Sequence, residues 1–113
     1  DFMQTLEVAG GIKITPYRAG HVLGAAMFAV EIAGMRCLYT GDYSRVPDRH
    51  LPAADTPPFT PDIVIVESTY GVSRHLPREQ REQLFLQRIT DTLRQEGRVL
   101  LPVVAMGRAQ ELL

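Results

Sequence analysis

This sequence has little cysteine, no long apolar run and almost no net charge. Cys37 is the only cysteine among 113 residues, so no disulfide can form within the chain. It falls in the middle of a predicted strand, where a small buried hydrophobic side chain is the simplest interpretation. The lack of disulfides fits a reducing, intracellular compartment.

No apolar run approaches the ~20 residues that a membrane-spanning helix needs, and no basic and then apolar segment resembles a signal peptide. We therefore expect no membrane partner. The formal net charge is −1, so the chain as a whole exerts no electrostatic pull on a polyanion. If nucleic acid is the substrate, its binding depends on a local groove or on residues outside this chain.

The residues that are present are those of a folded protein. Hydrophobic residues make up 45% and charged residues 22% of the sequence, which argues against disorder, and the length suffices for one small core. The sequence starts without methionine and stops inside a predicted helix. We therefore expect it to be an excerpt of a longer protein.

Hydrophobic periodicity predicts an α/β fold in which strands alternate with helices and include one hairpin. In the first part of the chain we predict a short helix from Phe2 that ends towards Gly10, and then strands over residues 12–15, 28–33 and 35–40. A proline-rich connection leads to a strand over residues 63–66 that is covered on both faces. The remaining predicted elements are a helix from Pro77 to Gly97 with a buried stripe at Leu86, Ile89 and Leu93, a buried strand at residues 99–101, and a helix that starts after Gly107.

His21 and Asp42 carry the strongest chemical signal, since each lies among glycines and small residues beside a predicted strand. The chain passes His21, runs along one strand, reverses at Gly34 and returns along the next strand to Asp42. A one-way strand of about six residues would separate the two by roughly 20 Å. The hairpin instead predicts both side chains at one edge of the sheet, where they are candidate metal ligands.

Simpler interpretations of these residues stay open. A lone histidine such as His21 is more often structural, and Asp42 after Gly41 is typical of a turn. Glu67 closes an apolar strand, and spacing alone favours a salt bridge or a hydrogen bond to a helix N-terminus over a catalytic role. His50 and His75 lie among loop residues and are expected to be surface or packing histidines.

Other chemistries find little support. Ser44 and Ser68 lack a histidine and an aspartate placed as a catalytic triad. Gly107 and Arg108 stand at a predicted helix start, but no glycine-rich phosphate cradle precedes them.

Five short motifs, in order and over nearly the whole chain, resemble metallo-β-lactamase-fold nucleases that carry a β-CASP insertion. They are GHVLGAAMF at residues 20–28, LYTGDYSR at 38–45, DRHL at 48–51, ESTYG at 67–71 and GRAQELL at 107–113. The resemblance implies a partial αββα sandwich over residues 1–70 that runs into the start of a β-CASP domain over residues 71–113.

The resemblance also implies roles for three residues. His21 matches a motif that holds one zinc ion, and Asp42 matches a motif whose carboxylate bridges two zinc ions. Glu67 matches the first β-CASP motif, whose acidic residue orients a general-acid histidine. Asp42 and Glu67 would then be catalytic residues, and His21 and Asp42 metal ligands.

The implied activity is that of a zinc-dependent endoribonuclease that cuts pre-mRNA 3′ ends in the nucleus, with other subunits of a cleavage and polyadenylation complex. The family's His-x-His-x-Asp-His signature and its downstream histidines are absent from the sequence, so this stretch alone is expected to be inactive. Three alternatives remain: a prokaryotic-type β-CASP ribonuclease, a small-substrate hydrolase of the same fold, and a non-catalytic scaffold subunit of the same complex.

Overall fold

The computed structural model describes residues 1–113 and confirms the α/β class. It contains a five-stranded sheet and two α-helices. The elements are β1 Leu6–Val8, a 3-10 turn Ala9–Gly11, β2 Ile12–Arg18, β3 Ala26–Ile32, β4 Met35–Tyr39, β5 Ile63–Ile65, α1 Arg78–Arg94 and α2 Arg108–Leu112.

The strands lie in the order β1-β2-β3-β4-β5. The first three pairings are antiparallel and the pairing of β4 with β5 is parallel. As a result β2, β4 and β5 all run in the same direction and finish at the same end of the sheet. The residues that follow them, 19–22, 40–43 and 66–68, are called the site end.

The predicted hairpin joins β3 to β4. Ile32 pairs with Met35, which leaves Ala33 and Gly34 as a two-residue turn with φ angles of 49° and 82°. Two successive residues with positive φ match the right-handed twist of the strands they connect, as in a type I′ turn. The turn places the start of β3 and the end of β4 together at the site end.

The core lies on one face of the sheet, close to the site end. Its buried side chains are Tyr17, Ala19, Met27 and Ala54. Ala54 belongs to the proline-rich connection between β4 and β5, which therefore folds back over the sheet instead of extending away from it. Phe59 packs beside Tyr17, with 6.4 Å between ring centroids.

The prediction of an N-terminal helix was wrong. Leu6 pairs with Ile14 and Val8 with Ile12, so the segment is a strand of a hairpin that turns at Gly10 and Gly11. A helix this short gains few hydrogen bonds for the cost of nucleation. The apolar, polar, apolar order of residues 6–8 suits a strand that has a partner within reach.

Three further predictions, two of burial and one of a strand, were also wrong. Ile63, Val64 and Ile65 are 45–53% exposed, because β5 is the outermost strand and the connection covers the inner strands. Cys37 is half-buried, since it lies on the sheet face opposite the core. Residues 99–101 form no strand, because no strand of the sheet pairs with them.

The chain divides into two compact units, Asp1–Ser68 with Val104–Leu113 and Thr69–Val103. Helix α1 in the second unit forms as predicted, but its apolar stripe is not buried: Leu86 is 61% exposed and Leu93 58%. Periodicity predicts which face of a helix is apolar, not what covers it. Neither helix has the length and apolarity required to span a bilayer.

Candidate metal centre

His21 lies in a tight turn between β2 and β3. The turn is closed by hydrogen bonds from the Ala19 N–H to the Ala25 carbonyl, at 3.0 Å, and from the Ala25 N–H to the Val22 carbonyl, at 3.1 Å. His21 itself has φ of 46°, a conformation in which non-glycine residues are uncommon. The surrounding packing therefore holds the histidine backbone in a specific orientation.

Gly20 makes that packing possible. Its φ is 70°, and a Cβ at this position would lie 2.7 Å from the Ser44 carbonyl oxygen and 3.1 Å from the Ala54 nitrogen. The Ser44 N–H donates to the Ala19 carbonyl at 2.8 Å, and the Ala54 N–H donates to the Ser44 carbonyl at 2.7 Å. These bonds join the His21 turn to the segment that follows Asp42.

The structure brings the side chains of His21 and Asp42 together, as the hairpin argument predicts. His21 Nε2 lies 3.8 Å from Asp42 Oδ2, and the two side chains are 47% and 68% exposed. An ion pair this exposed adds little to stability. This contact therefore contributes little to holding the two turns together.

Thr40 is a member of the site end that the sequence analysis missed. It is 4% exposed, and its hydroxyl donates to the Gly41 carbonyl at 2.8 Å and accepts a long bond from the Glu67 N–H at 3.4 Å. Its own N–H donates to the Ile65 carbonyl at 3.0 Å. A polar residue between a strand and a glycine was the available signal. Thr40 ties the ends of β4 and β5 together.

Glu67 reaches the same end of the sheet after β5. Its Oε1 accepts a hydrogen bond from the Tyr43 N–H at 3.4 Å, and the residue is half-buried. The donor is a loop amide and not the helix N-terminus of the simpler interpretation. The bond places this carboxylate beside the segment that carries Asp42.

The two remaining histidines lie away from this pair. His50 Nε2 lies 2.7 Å from the Gln110 carbonyl oxygen, and the His75 ring meets the Tyr70 ring edge-on at 4.7 Å between centroids. Both are packing histidines on the surface, as predicted. No group of three or more histidine, cysteine or acidic side chains in the chain could hold a metal ion.

The donors at the site end nevertheless fit part of a metal site. Imidazole nitrogen and carboxylate oxygen are both zinc ligands, and the pair converges from two separate turns. A catalytic zinc ion uses about three protein ligands and a water molecule. His21 and Asp42 thus make up an incomplete set.

Comparison with known proteins identifies the family to which this chain belongs. Residues 1–65 match the family model described as a metallo-beta-lactamase superfamily domain. That match covers all five strands and includes His21 and Asp42.

Similar proteins were found over the whole length of the chain. It is 63% identical over 113 residues to cleavage and polyadenylation specificity factor subunit 3-I of Arabidopsis thaliana, and covers 16% of that protein. It is 58% identical over the same length to endoribonuclease ysh1 of Schizosaccharomyces pombe, covering 15%. It is 57% identical to endoribonuclease YSH1 of Mycosarcoma maydis, covering 13%. The chain thus spans less than a fifth of the length of these relatives.

Proposed function

Because the chain belongs to the metallo-β-lactamase superfamily, we propose that it is part of a metal-dependent endoribonuclease. The reaction would be hydrolysis of phosphodiester bonds in pre-mRNA during 3′-end processing. The proposal is supported by relatives 57–63% identical over all 113 residues, whose names denote endoribonucleases and a cleavage and polyadenylation factor subunit. The structural observation on which the proposal depends is that His21 Nε2 lies 3.8 Å from Asp42 Oδ2.

In this proposal His21 and Asp42 would be ligands of a site for two zinc ions, with the Asp42 carboxylate shared between the ions. A carboxylate suits the bridging position because it is short, anionic and has two oxygens that can each bind a metal. When bound, such ions neutralise the charge that builds up on the phosphate oxygens during hydrolysis. The other ligands would come from residues outside this chain.

Glu67 is proposed to orient a proton donor. Its Oε1 is held by the Tyr43 N–H, which fixes the carboxylate next to the Asp42 segment without placing it in the His21–Asp42 pair. A carboxylate in such a position can hold a histidine in its charged form, ready to protonate the leaving oxygen. That histidine would also lie outside this chain.

The setting of the reaction completes the proposal. We assign the protein to the nucleus, in a complex with other cleavage and polyadenylation subunits. With a net charge of −1, the chain does not attract RNA by overall charge, so the RNA contacts would be local or supplied by other parts of the protein and complex.

Replacement of Asp42 tests the proposal. In the full-length protein we expect Asp42→Ala to abolish RNA cleavage, by at least about 100-fold, and to reduce the bound zinc measured by mass spectrometry of metals. Asp91→Ala is the matched control, because Asp91 is an exposed carboxylate on α1 with a 3.7 Å pair to Arg94. Cleavage at the wild-type rate by Asp42→Ala would refute the bridging role.

Replacement of Glu67 separates its role from that of the ligands. Glu67→Gln keeps the acceptor for the Tyr43 N–H but removes the negative charge. We expect the zinc content to be unchanged and the cleavage rate to fall by about 10² or more, as for loss of general acid–base assistance. If the variant cleaves at the wild-type rate, Glu67 is structural. A wild-type protein that binds no zinc and cuts no RNA would favour the scaffold alternative.

A further inference from the structure

The start of helix α2 lies against the His21 turn. Gly107 precedes the helix with φ of 92°, and a Cβ there would lie 2.9 Å from Val22 Cγ1 and 3.9 Å from the His21 carbonyl oxygen. Residue 107 must therefore lack a side chain for Val22 to pack this closely. The backbone at Gly107 forms one wall of the turn that carries His21.

Gln110 holds Gly107 in that position. Its Oε1 accepts a hydrogen bond from the Gly107 N–H at 2.7 Å, and its Nε2 donates to the Ala105 carbonyl at 3.0 Å. One amide side chain thus bonds the backbone on both sides of the bend before α2. These two bonds support the approach of Gly107 to Val22.

Helix α2 is itself held by a loop that follows the Asp42 segment. Arg49 Nη1 lies 2.8 Å from Glu111 Oε1, and the Arg49 N–H donates to Glu111 Oε2 at 3.1 Å. His50 Nε2 lies 2.7 Å from the Gln110 carbonyl oxygen. We call these four residues, Arg49, His50, Gln110 and Glu111, the clasp.

The clasp has one well-shielded member. The Glu111 side chain is 9% exposed although its partner Arg49 is 51% exposed. A carboxylate that accepts from both a guanidinium and a backbone N–H is more strongly held than a surface ion pair. The clasp therefore binds α2 to the loop with fixed geometry.

The loop that carries Arg49 and His50 is hydrogen-bonded at its base. Asp48 Oδ1 accepts hydrogen bonds from the His50 N–H at 2.8 Å and the Leu51 N–H at 2.6 Å. Burial alone would raise the pKa of Asp48, but these bonds and the nearby His50 and Arg108 outweigh burial and lower the pKa. The carboxylate is thus charged at neutral pH and keeps Arg49 and His50 facing α2.

From these contacts we infer that the segment from Gly107 to Glu111 positions His21, with the clasp as its anchor. His21 is nearly half-exposed, so its direction depends on how its turn is supported. Gly107 supports that turn through Val22, and the clasp keeps Gly107 there. This inference rests on the proposed function, since it makes residues far along the chain determinants of the metal affinity at His21.

Substitution of Gly107 tests the contact. In the full-length protein we expect Gly107→Ala to weaken zinc binding about ten-fold, the effect typical of groups that orient a ligand. Zinc retention would be measured by competition with a chelator. Hydrogen exchange of the Ala19 and Ala25 amides, whose hydrogen bonds close the His21 turn, should quicken by a similar factor. Gly34→Ala is the matched control, because Gly34 has φ of 82° but a Cβ added there would meet nothing within 4 Å.

Substitution in the clasp tests the anchor. Glu111→Gln removes the charge opposite Arg49 and should weaken zinc binding several-fold, with faster exchange of the Ala19 and Ala25 amides. Glu82→Gln is the control, because Glu82 makes a 2.8 Å pair with Arg78 on α1. A double variant that exchanges the two charges, Arg49→Glu with Glu111→Arg, restores the ion pair. It should therefore recover part of the zinc affinity that is lost in Glu111→Gln.

The two readouts separate this inference from the proposed function. Faster exchange of the Ala19 and Ala25 amides in Gly107→Ala and Glu111→Gln, but not in their controls, supports the positioning role even if the protein binds no zinc. Exchange and zinc retention equal to those of Gly34→Ala and Glu82→Gln would overturn it. Loss of zinc with unchanged exchange would also overturn it, because the effect would then not pass through the turn.

Discussion

The first unit, which contains the site end, and the unit Thr69–Val103 differ in how far their apolar side chains are buried. All the buried residues belong to the first unit, and the largest are Tyr17 and Met27. No residue of α1 in the second unit is buried. The chain thus supplies the packing that shapes its candidate metal centre, while the apolar face of α1 has no fully buried residue.

The same contrast appears in the polar contacts. In the first unit, next to the site end, Asp55 is 10% exposed and is bonded by the Arg18 N–H and guanidinium, whereas Arg78 and Glu82 on α1 pair at 36% and 41% exposure. Shielded pairs constrain the backbone, and exposed pairs add little. Substitutions of one chemical kind should therefore have unequal effects in the two regions.

The largest difference is expected at a glycine. Gly20→Ala would place a methyl group 2.7 Å from the Ser44 carbonyl oxygen, at a residue with φ of 70°. Steric overlap with backbone and the left-handed conformation together should cost about 3 kcal/mol in the free energy of unfolding, measured by denaturant titration. Gly34→Ala meets no atom within 4 Å and should cost about 1 kcal/mol. Equal losses would mean that the close packing at Gly20 does not stabilise the fold.

A smaller difference is expected in the core. Met27 is 3% exposed, so Met27→Ala should lower the free energy of unfolding by about 2 kcal/mol through lost burial and a residual cavity. Leu86→Ala on α1, at 61% exposure, should change it by less than about 0.5 kcal/mol. A large loss from Leu86→Ala would show that the apolar face of α1 is covered in the protein on which the melt is measured.

The sequence was sufficient to predict the features that depend on local order. The hairpin at Gly34 follows from alternating strands around a two-residue turn, and that hairpin was enough to bring His21 to Asp42. Helix α1 and the start of α2 after Gly107 were predicted from periodicity and glycine position. These features need no knowledge of distant contacts.

What the sequence did not predict depends on partners far along the chain. Residues 6–8 form a strand because residues 12–14 are available to pair with them, and residues 99–101 do not because no strand is available. Thr40 gives no catalytic signal, and its importance comes from bonds to Gly41 and Glu67. The metal role of His21 and Asp42, the role of Glu67 and the division near residue 70 stay predictions.

A still smaller difference is expected between two threonines. Thr40→Val removes the hydroxyl that donates to the Gly41 carbonyl inside the site end, and the loss should be about 1 kcal/mol. Thr92→Val removes a bond of the same 2.8 Å length to the Arg88 carbonyl on exposed α1, and should cost less than about 0.5 kcal/mol. A wild-type melting temperature for Thr40→Val would show that this hydroxyl does not tie β4 to β5.

The smallest difference is expected in the response to acid. Burial would raise the pKa of Asp55, but hydrogen bonds and the charge of Arg18 outweigh it and lower the pKa below its ordinary value of 3.8. A carboxyl whose pKa is lower in the folded state stabilises the fold above the unfolded-state pKa, and this contribution is lost as the pH falls through the folded-state pKa.

Asp55→Asn should therefore be less stable than the wild type by a constant amount, under about 1 kcal/mol, at neutral pH and down to pH ~5. The gap should narrow as the pH falls below ~4, because the wild type then loses the same charge. Thermal melts at a series of pH values measure this gap. Asp91→Asn on α1, where the carboxylate is 49% exposed, is the control and should show a smaller gap at neutral pH. A gap for Asp55→Asn that stays constant down to pH ~2 would mean that the Asp55 charge does not hold the connection over the core, and the stability of the site end would then rest on its apolar packing alone.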